Sequence, residues 1–438
     1  MRYMTEQPSY NPDMGRDLLK SQEPLLLKAA SDLVRAVATI DPNPDCAPQP
    51  PQALIVGGYV RDVYLGLHPK DADVEVYGVV PDQLKALLEQ LFGKTKDVGE
   101  AFGIIKVPIG DKLELDISIP RRESKIGKGH TGFLIDSDPS LGIKEAMRRR
   151  DFTMNALAMD PITGVVFDPF GGLEDIQTRT LRVTNPERFQ DDPLRVLRAM
   201  QFIARIEFTV DPESERLMHE MVERGDMTEL SRERITEEFE KLIFKGKRPS
   251  IGLAFARRIG LIEASFPNAT IKDWDAWEHL MDRAVVHKKE RHAVLAAFLS
   301  GFSLSSREAT VAGLTFKKKD IECAQSLLCA TEIQDPVLTN PINDARRTLK
   351  RALPASPEGY AAWLRILERA EEADRFLSLV QEHHVSAQPL LQGRDLIDVF
   401  QLKPGPKFRE ILDAVETARD RAQIETREQA IEYVKSLL

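Results

Sequence analysis

The stretch LIVGGYVRDVYLGLHPKDADVEVYG, residues 54–78, carries the two features that decide how the first part of the chain folds. An apolar, strand-like run ends at Gly57 and Gly58, and a helix is predicted to start near Tyr59. Glycines there let the backbone approach a ligand, and the free N–H groups at the start of a helix attract phosphate. A Gly-Gly pair alone favours a plain tight turn, so its interpretation depends on the neighbouring residues.

The second feature is the pair of acidic residues Asp71 and Asp73, which opens a β-branched run. Residues i and i+2 of a strand project to one face, so both carboxylates can hold the same divalent cation. Metal ions in such a site orient an attacking hydroxyl and stabilise the charge on a leaving pyrophosphate. A third acidic side chain is expected from a neighbouring strand; LELDISI puts Glu114, Asp116 and Ser118 on one face, and we select Asp116. The alternative, an exposed acidic strand, is disfavoured by the nearby Gly-Gly turn.

Apolar periodicity divides the chain into an α+β first part and a helical remainder. Short strand-like runs lie between Ala53 and Asp116, with one helix-like stretch, PDQLKALLEQLF, among them. After DPITGVVFDPFGG the pattern is helical almost to the last residue. We predict an N-terminal extension and linker over 1–50, a head with a mixed sheet and helices over 51–175, an all-helical neck over 176–250, a helical body over 251–345 and a helical tail over 346–438.

Composition is that of a globular protein with more than one domain. The 438 residues exceed one compact core, and 42% hydrophobic with 29% charged residues is ordinary for a soluble protein. No apolar run approaches the roughly 20 residues that span a bilayer, and the first residues resemble no secretory or transit leader, so we expect a cytoplasmic protein with no membrane partner. Cys46, Cys323 and Cys329 match no zinc pattern and are expected to be reduced and structural.

The net charge of -9 argues against a protein that coats nucleic acid, because phosphate binding depends on clustered lysine and arginine. Local basic clusters do occur, and they fit either an RNA-binding surface or ordinary solvated faces. They comprise Arg121, Arg122, Lys125 and Lys128; Arg148 to Arg150; Lys245, Lys247 and Arg248; Lys317 to Lys319; and Arg346, Arg347, Lys350 and Arg351.

Four more motifs follow the acidic pair in the first half of the chain. They are RRRDFTMNALA over 148–158, DPFGGLED over 168–175, DDPLRVLRAMQFIARIEF over 191–208 and SRERITEEFEKL over 231–242. With GGYVRD and PKDADVE, they resemble the polymerase β-like nucleotidyltransferase superfamily, specifically the bacterial CCA-adding enzymes and poly(A) polymerases. The resemblance implies an α+β nucleotidyltransferase head followed by all-helical neck, body and tail.

The resemblance also implies roles for residues of the head. Gly58, after Gly57, and Arg61 are expected to contact the triphosphate of a nucleotide, and Asp71 and Asp73 to hold Mg²⁺. Asp151, together with Arg150 and Asn155, is expected to order the ribose. These roles agree with general chemistry, because arginine clamps phosphate in bidentate fashion and a carboxylate accepts a hydrogen bond from a 2′-hydroxyl. For Arg148 to Arg150 a solvated helix face is the alternative.

In DDPLRVLR, Asp192, Arg195 and Arg198 recur every three residues and therefore share one helix face. The resemblance implies that Asp192 and Arg195 act as an amino-acid template for the incoming base. Cytosine N4 and adenine N6 are amino donors that a carboxylate accepts, whereas uracil O4 and guanine O6 are acceptors, so CTP and ATP are the predicted substrates. A helical salt-bridge face is the alternative. Where many relatives have another arginine, this chain has Gln201, which puts one nucleotide contact in doubt.

A second departure lies in WEHLMDRAVVHKKERHAVLAAFLSGFS, which resembles the start of an HD phosphohydrolase domain. Ser300 and Gly301 stand where the His-Asp pair would be, so we expect an HD-like remnant without a metal site or phosphatase activity. The histidines around it are expected to be structural or surface residues; they are His279, His287 and His292.

Together these patterns predict an enzyme that adds CMP and AMP, as CCA, to the 3′ end of tRNA from CTP and ATP with Mg²⁺, gripping the acceptor arm with its helical remainder. Within the same class the alternatives are a CC-adding enzyme, an A-adding enzyme and a poly(A) polymerase. We expect the loop within Arg121 to Gly142 to separate these activities. From other classes, a non-catalytic RNA-binding relative and a free-nucleotide phosphohydrolase are disfavoured, the first because Asp71, Asp73 and Arg195 are all present.

Overall fold

The computed structural model describes residues 17–19, 22–93, 96–98, 104–110, 113–125, 133–267, 269–332, 341–382, 388–420 and 423–438. The strands are β1 (Gln52–Val56), β2 (Asp71–Tyr77), β3 (Lys96–Val98), β4 (Ile104–Ile109), β5 (Leu113–Ser118), β6 (Arg121–Lys125), β7 (Phe133–Ser137), β8 (Ala158–Met159), β9 (Val166–Phe167), β10 (Thr180–Leu181) and β11 (Thr209–Val210).

The α-helices up to Ser265 are α1 (Pro24–Val37), α2 (Gly58–Tyr64), α3 (Pro81–Phe92), α4 (Ile143–Arg148), α5 (Gly172–Gln177), α6 (Pro186–Phe189), α7 (Leu194–Ile206), α8 (Pro212–Glu223), α9 (Arg232–Lys245), α10 (Pro249–Arg258) and α11 (Leu261–Ser265). Those after it are α12 (Trp274–Ala284), α13 (Arg291–Ser300), α14 (Leu304–Ala312), α15 (Lys318–Glu332), α16 (Pro341–Ala352), α17 (Pro357–Ile366), α18 (Ala370–Glu382), α19 (Gly393–Asp398), α20 (Pro406–Asp420) and α21 (Arg427–Leu437).

The first part of the chain is built on a mixed sheet, which confirms the predicted α+β head. Within the described residues its strand order is β3-β4-β5-β2-β1-β8-β9. Strands β2 and β5 run parallel, and the other neighbours in this sheet pair antiparallel. The central strands β1 and β2 are rich in valine and isoleucine whose side chains are buried, as β-branched residues favour a covered sheet.

Strand register fixes the acidic residues relative to the Gly-Gly turn. Asp73 pairs with Val56, the last residue of β1, and on its other side with Asp116 of β5. Asp71 pairs with Glu114 in the same way. The turn after Val56 therefore begins beside Asp73. The Gly-Gly turn and the acidic pair thus lie at the same end of the sheet.

The chain divides into two compact units, which differ from the predicted domains. The first comprises 1–235 with 255–265, and the second comprises 236–254 with 266–438. The predicted head and neck segments both belong largely to the first unit, where they share apolar contacts. Phe152 contacts Phe189 and Phe202, with ring centroids 5.6 and 5.9 Å apart.

The neck segment is helical except for one short sheet that the sequence did not predict. Helix α7 ends at Glu207, whose φ of 59° turns the backbone out of the helix. The β-branched residues Thr209 and Val210 then pair in parallel with Thr180 and Leu181. The expected all-helical neck is thus corrected to a helical segment with a two-stranded parallel sheet.

Apart from an isolated bridge between Ile271 and Phe302, the regular elements among the described residues of the second unit are helices, as predicted for body and tail. One core is a cluster of aromatic rings: Phe239, Phe266, Trp277, Phe298 and Phe302 lie in contact, with neighbouring centroids 5.0 to 5.9 Å apart. A separate apolar core joins α19, α20 and α21 near the last residues of the chain. Among the described residues, no helix combines the length and apolarity that crossing a membrane requires.

Gly301 lies directly against the indole ring of Trp277 in the aromatic cluster. A Cβ atom at this position would be 2.4 Å from Trp277 Cδ2 and Cε2, so only glycine fits. This packing accounts for glycine at position 301. His292 nearby pairs its Nε2 with Asp320 at 3.2 Å.

We expect Gly301→Ala to lower the free energy of unfolding by roughly 1 to 3 kcal/mol, the range for overpacking a filled core. The measurement is the midpoint of thermal unfolding. Ser300→Ala is the matched control, because the Ser300 hydroxyl only bonds the Ala297 carbonyl of its own helix, at 2.8 Å. Equal midpoints for the two variants would contradict the tight packing of Gly301.

Candidate active site

Asp71 and Asp73 lie at the start of β2 with their side chains accessible to solvent, while Ala72 between them is buried. Alternation along the strand thus directs both carboxylates to one face, as the spacing predicted. Although the Asp73 side chain reaches solvent, partial desolvation by its surroundings raises its pKa. Arg150 and Lys106 oppose this effect, whereas Asp116 and Glu75 add to it.

The Gly-Gly turn packs against Arg150. Gly57 has a φ of 72°, in the left-handed region, and its N–H donates to the Leu157 carbonyl at 2.9 Å. A Cβ atom on Gly57 would be 2.4 Å from Nη1 of Arg150, so both backbone conformation and space require glycine here. Helix α2 begins at the next residue, Gly58.

Asp116 has a cationic neighbour that the sequence did not reveal. Lys106, its register partner on β4, has Nζ 3.1 Å from the Asp116 carboxylate and also contacts Glu114. Burial raises the pKa of Asp116, and the Lys106 ammonium acts against this shift. Oδ1 of Asp116 is buried without a hydrogen bond, which leaves an acceptor beside Asp73.

The donor set fits a divalent cation that is shared with a phosphate substrate. Within the described part of the chain, no three acidic, histidine or cysteine side chains are grouped closely enough to enclose a metal ion by themselves. Magnesium, however, is typically bound by one or two carboxylates, with waters and substrate phosphates completing the octahedron. Asp71 and Asp73 would supply those carboxylates, and Asp116, which is ion-paired with Lys106, lies on the adjacent strand.

Asp151 is the centre of a buried network that joins most of the predicted nucleotide residues. Its Oδ1 accepts from the Asn155 amide at 2.9 Å, and its Oδ2 accepts from Arg198 Nε at 2.7 Å. Burial alone would raise the pKa of Asp151, but Arg198, the Asn155 amide and Arg195 outweigh it and lower the pKa to about 2. Asp151 is therefore ionised and held in one orientation.

Arg61 extends this network and is buried, with only 5% of its surface exposed. Its Nη1 donates to Asn155 Oδ1 at 2.6 Å, and its Nε donates to Asp62 at 2.7 Å. In this arrangement Arg61 orients Asn155. Its predicted contact with a triphosphate remains a prediction.

Phe202 on α7 gathers three guanidinium groups around its ring. The Cζ atoms of Arg61, Arg198 and Arg205 lie 5.1, 5.3 and 5.8 Å from the ring centroid, within the range of cation–π attraction. Gln201 is buried and accepts from Arg205 Nη1 at 3.3 Å. Gln201 is thus part of the packing between these side chains.

The DPFGGLED motif stabilises the segment that contains Asp151 through hydrogen bonds. Asp168 accepts from the N–H groups of Gly172 and Leu173, at 2.7 and 2.9 Å, which fixes the start of α5. Asp175 on α5 accepts from the Thr153 hydroxyl at 2.6 Å. The motif therefore holds the 3₁₀ turn Thr153–Asn155 in place.

The two residues predicted to select the base are each held by a specific partner. Asp192 accepts from Nη2 of Arg234, at 3.2 Å to Oδ1 and 3.0 Å to Oδ2, and Oδ1 also accepts from Leu194 N–H. Arg195 donates from Nη1 to the Arg188 carbonyl at 2.8 Å and from Nη2 to the Arg149 carbonyl at 2.7 Å. Three N–H groups of Arg195 and one acceptor site on Asp192 Oδ2 are not used by these bonds.

Glu75, two residues after Asp73, is a buried carboxylate between two arginines. Its Oε1 accepts from Arg149 Nη2 at 2.7 Å and from Arg150 Nη2 at 3.3 Å, while Oε2 accepts from the Tyr77 hydroxyl at 2.8 Å. Burial would raise the pKa of Glu75, but the two guanidinium groups and the tyrosine lower it below its ordinary value.

Two cavities share Arg149 in their linings. One, of about 180 Å³, is lined by Asp73, Glu75 and Asp116 together with Arg149 and Arg150. The other, of about 170 Å³, is strongly basic; its charged lining residues are Arg121, Arg122, Glu145, Arg148, Arg149, Arg188, Asp191 and Arg195.

Arg121 lines both cavities, so part of the predicted basic cluster borders the site. Lys128 of the same cluster, with residues 126–132 of the predicted specificity loop, lies outside the described residues, and Lys125 is described for its backbone alone. The role expected for that loop therefore stays a prediction.

Sequence reasoning missed four residues of this site: Glu75, Lys106, Phe202 and Arg234. Strand alternation carries a signal for Glu75, since residues 71, 73 and 75 share one face. Arg234 stands within the SRERITEEFEKL motif but has no local partner to suggest its role. Lys106 and Phe202 become recognisable only once strands and helices that are distant in sequence are paired.

We expect Asp151→Asn to lower the free energy of unfolding at pH 7 by about 2 kcal/mol or more. This magnitude follows because folding lowers the pKa of Asp151 from 3.8 to about 2. A carboxyl with a lowered folded-state pKa contributes stability above its unfolded pKa and loses it as the pH falls through the folded value. The difference in the free energy of unfolding between wild type and Asp151→Asn should therefore decrease by roughly 1 kcal/mol as the pH falls from 5 to 3. Denaturant unfolding at each pH measures this difference, and the control is Asp45→Asn, because Asp45 is exposed. A gap independent of pH would contradict the network.

Two family models match the chain. Residues 53–182 match the poly A polymerase head domain, and residues 207–272 match a model described as "Probable RNA and SrmB- binding site of polymerase A". A multifunctional CCA protein of Xanthomonas campestris pv. campestris (strain B100) is 37% identical over 236 residues, 53% of this chain and 54% of that protein. One of Mannheimia succiniciproducens is 38% identical over 219 residues, 49% of each chain. The chain thus spans about half the length of the curated relatives it matches.

Solved structures share the fold over nearly the whole chain. The Thermotoga maritima CCA-adding enzyme complexed with tRNA has a TM-score of 0.65 at 21% identity, covering 96% of this chain and 97% of that one. The Bacillus stearothermophilus CCA-adding enzyme in complex with CTP has a TM-score of 0.69 at 22% identity, covering 94% and 98%. Residues 53–182 are therefore similar to the poly A polymerase head domain and the first half of the chain to the multifunctional CCA proteins, the relationship that the motifs predicted.

Proposed function

We propose that this protein is a template-independent RNA nucleotidyltransferase that adds CMP and AMP, as CCA, to the 3′ end of tRNA, using CTP and ATP. One observation carries the proposal: Asp71, Asp73 and Asp116 lie on adjacent strands, and hydrogen bonds join the Asp151 segment to helix α7, which bears Arg195 and directly follows Asp192. The residues proposed to bind the metal and those proposed to select the base thus belong to one compact unit. The names of the relatives and of the solved structures support tRNA and CTP as substrates.

Asp71 and Asp73 would hold Mg²⁺, with Asp116 Oδ1, which accepts no hydrogen bond but is ion-paired with Lys106, as a further ligand. When bound, the metal would activate the attacking 3′-hydroxyl and stabilise the leaving pyrophosphate. Lys106, beside Asp116, adds positive charge next to the carboxylates. Its ammonium would offset the negative charge that accumulates when carboxylates and phosphates meet.

Arg150 and Asp151 are arranged to position the nucleotide. Arg150 lies against the Gly-Gly turn, where its guanidinium can donate to phosphate oxygens. Asp151 is ionised and can accept from a ribose 2′-hydroxyl, which a deoxyribonucleotide lacks. Since Asn155 and Arg198 fix the carboxylate, ribose recognition would need no rearrangement of Asp151.

Asp192 and Arg195 would read the base. The remaining acceptor site of Asp192 suits the amino group of cytosine or adenine, and the unused N–H groups of Arg195 suit ring acceptors. Arg234 fixes the orientation of the Asp192 carboxylate. A base with a carbonyl at the same position would therefore place two hydrogen-bond acceptors opposite each other, which is unfavourable.

The activity is tested by offering tRNAs that end before CCA, after C and after CC, plus an unstructured RNA, with each labelled nucleotide and Mg²⁺. We expect CMP incorporation into the first two tRNAs, AMP into the third, and no long tail on the unstructured RNA. Failure to incorporate CMP would overturn the CCA-adding proposal. Long A tails on unstructured RNA would support a poly(A) polymerase instead.

Asp73→Asn should reduce incorporation of either nucleotide by at least about a hundredfold, because a metal-holding carboxylate contributes several kcal/mol to transition-state stabilisation. The assay is initial rate at saturating CTP and tRNA. Asp82→Asn, an exposed residue in the first turn of α3, is the control and should retain wild-type rate. A normal rate for Asp73→Asn would overturn the metal assignment.

Arg234→Met should reduce the preference for CTP and ATP over UTP and GTP by roughly tenfold, the effect of one charge-assisted hydrogen bond. The preference is measured as the ratio of kcat/KM values between nucleotides. Arg232→Met is the matched control on the same helix, since Arg232 donates to the Ser265 carbonyl, at 3.0 Å. If both variants keep the wild-type ratio, Arg234 does not orient Asp192 for base selection.

A further inference from the structure

Glu75 places a full negative charge inside the head, two residues after Asp73 on the same strand. Residues 71, 73 and 75 share one face of β2, and Glu75 is only 1% exposed. The register sets it between Leu54 on β1 and Ser118 on β5, neither of which carries charge. A buried carboxylate is costly unless charged and hydrogen-bonding partners compensate it.

The compensation comes from residues that line the cleft. Arg149 and Arg150 both donate to Oε1, and the Tyr77 hydroxyl donates to Oε2. Both arginines also line the cavity that contains Asp73 and Asp116. Glu75 thus holds two cations at the wall of the proposed metal and nucleotide site.

We propose that Glu75 is a positioning residue, which keeps the Arg149 and Arg150 guanidinium groups away from Asp73 so that Asp73 can bind a divalent cation. The inference rests on the proposed function for its metal site. Arg150 is confined between Gly57 and Glu75, because its Nη1 lies where a Gly57 side chain would be. Without the Glu75 charge, Asp73 and Asp116 are the remaining carboxylates in that cavity, and either arginine would pair with them in competition with the metal.

The decisive variant is Glu75→Gln, which preserves size and hydrogen-bond acceptance but removes the charge. We expect Mn²⁺ to bind roughly tenfold more weakly, as followed by electron paramagnetic resonance of the free ion, without RNA or nucleotide. The Mg²⁺ concentration for half-maximal CMP incorporation should rise by a similar factor, with kcat at saturating Mg²⁺ changed far less. Unchanged Mn²⁺ affinity would overturn the proposal.

Asp320→Asn is the matched control, since Asp320 is a half-buried carboxylate that pairs with Arg291 and His292 in the second unit. It should bind Mn²⁺ as the wild type does. Equal loss of Mn²⁺ affinity in both variants would assign the effect to general destabilisation and overturn the positioning role.

The double variant Glu75→Gln with Arg149→Met separates charge from folding. It removes the surplus cation, so Mn²⁺ affinity should return to within about threefold of wild type, whereas damage to the fold would not be repaired. Failure of this rescue would also overturn the proposal. If wild type incorporates no nucleotide, the proposed function fails, yet the Mn²⁺ titrations still decide the role of Glu75.

Discussion

The pairing of Asp151 with Arg198 is the interaction on which the architecture of the first unit depends. It joins a turn of the sheet domain to helix α7, and Asn155 and Arg61 extend it to the Gly-Gly turn. Because these groups are buried or half-buried, removing one partner would leave a charge without compensation. The shared ring contacts of Phe152 surround the same junction with apolar packing. Nucleotide recognition and the joining of head to neck are therefore properties of one network.

Much of the head could be predicted from local pattern. The alternation in DADVEVY and LELDIS indicated strands, and the register does put Asp116 beside Asp73. The period of DDPLRVLR indicated a helix face for Asp192, Arg195 and Arg198, although Asp192 itself precedes the first helical residue, Leu194. Such signals depend on neighbours in sequence, which is why they were recoverable without a structure.

Contacts between distant segments could not be predicted in the same way. Lys106 faces Asp116 only because β4 pairs antiparallel with β5, and Arg234 reaches Asp192 across 42 residues of sequence. The packing of Phe152 on Phe189 and Phe202 is another such contact, because these residues have the pattern of ordinary apolar residues in separate segments. Arg61 donates to Asn155 across 94 residues of sequence, a contact that no local pattern indicates. The roles of the site residues in binding and catalysis remain predictions.

The division into two units has a spectroscopic consequence. All three tryptophans of the chain, Trp274, Trp277 and Trp363, belong to the second unit, and Trp277 lies in its aromatic cluster. Intrinsic tryptophan fluorescence therefore reports the helical unit alone, while the unit with the acidic residues contributes only tyrosine emission. An unfolding curve followed at tryptophan wavelengths describes half of the molecule, and agreement with circular dichroism becomes a direct measure of whether the two units unfold together.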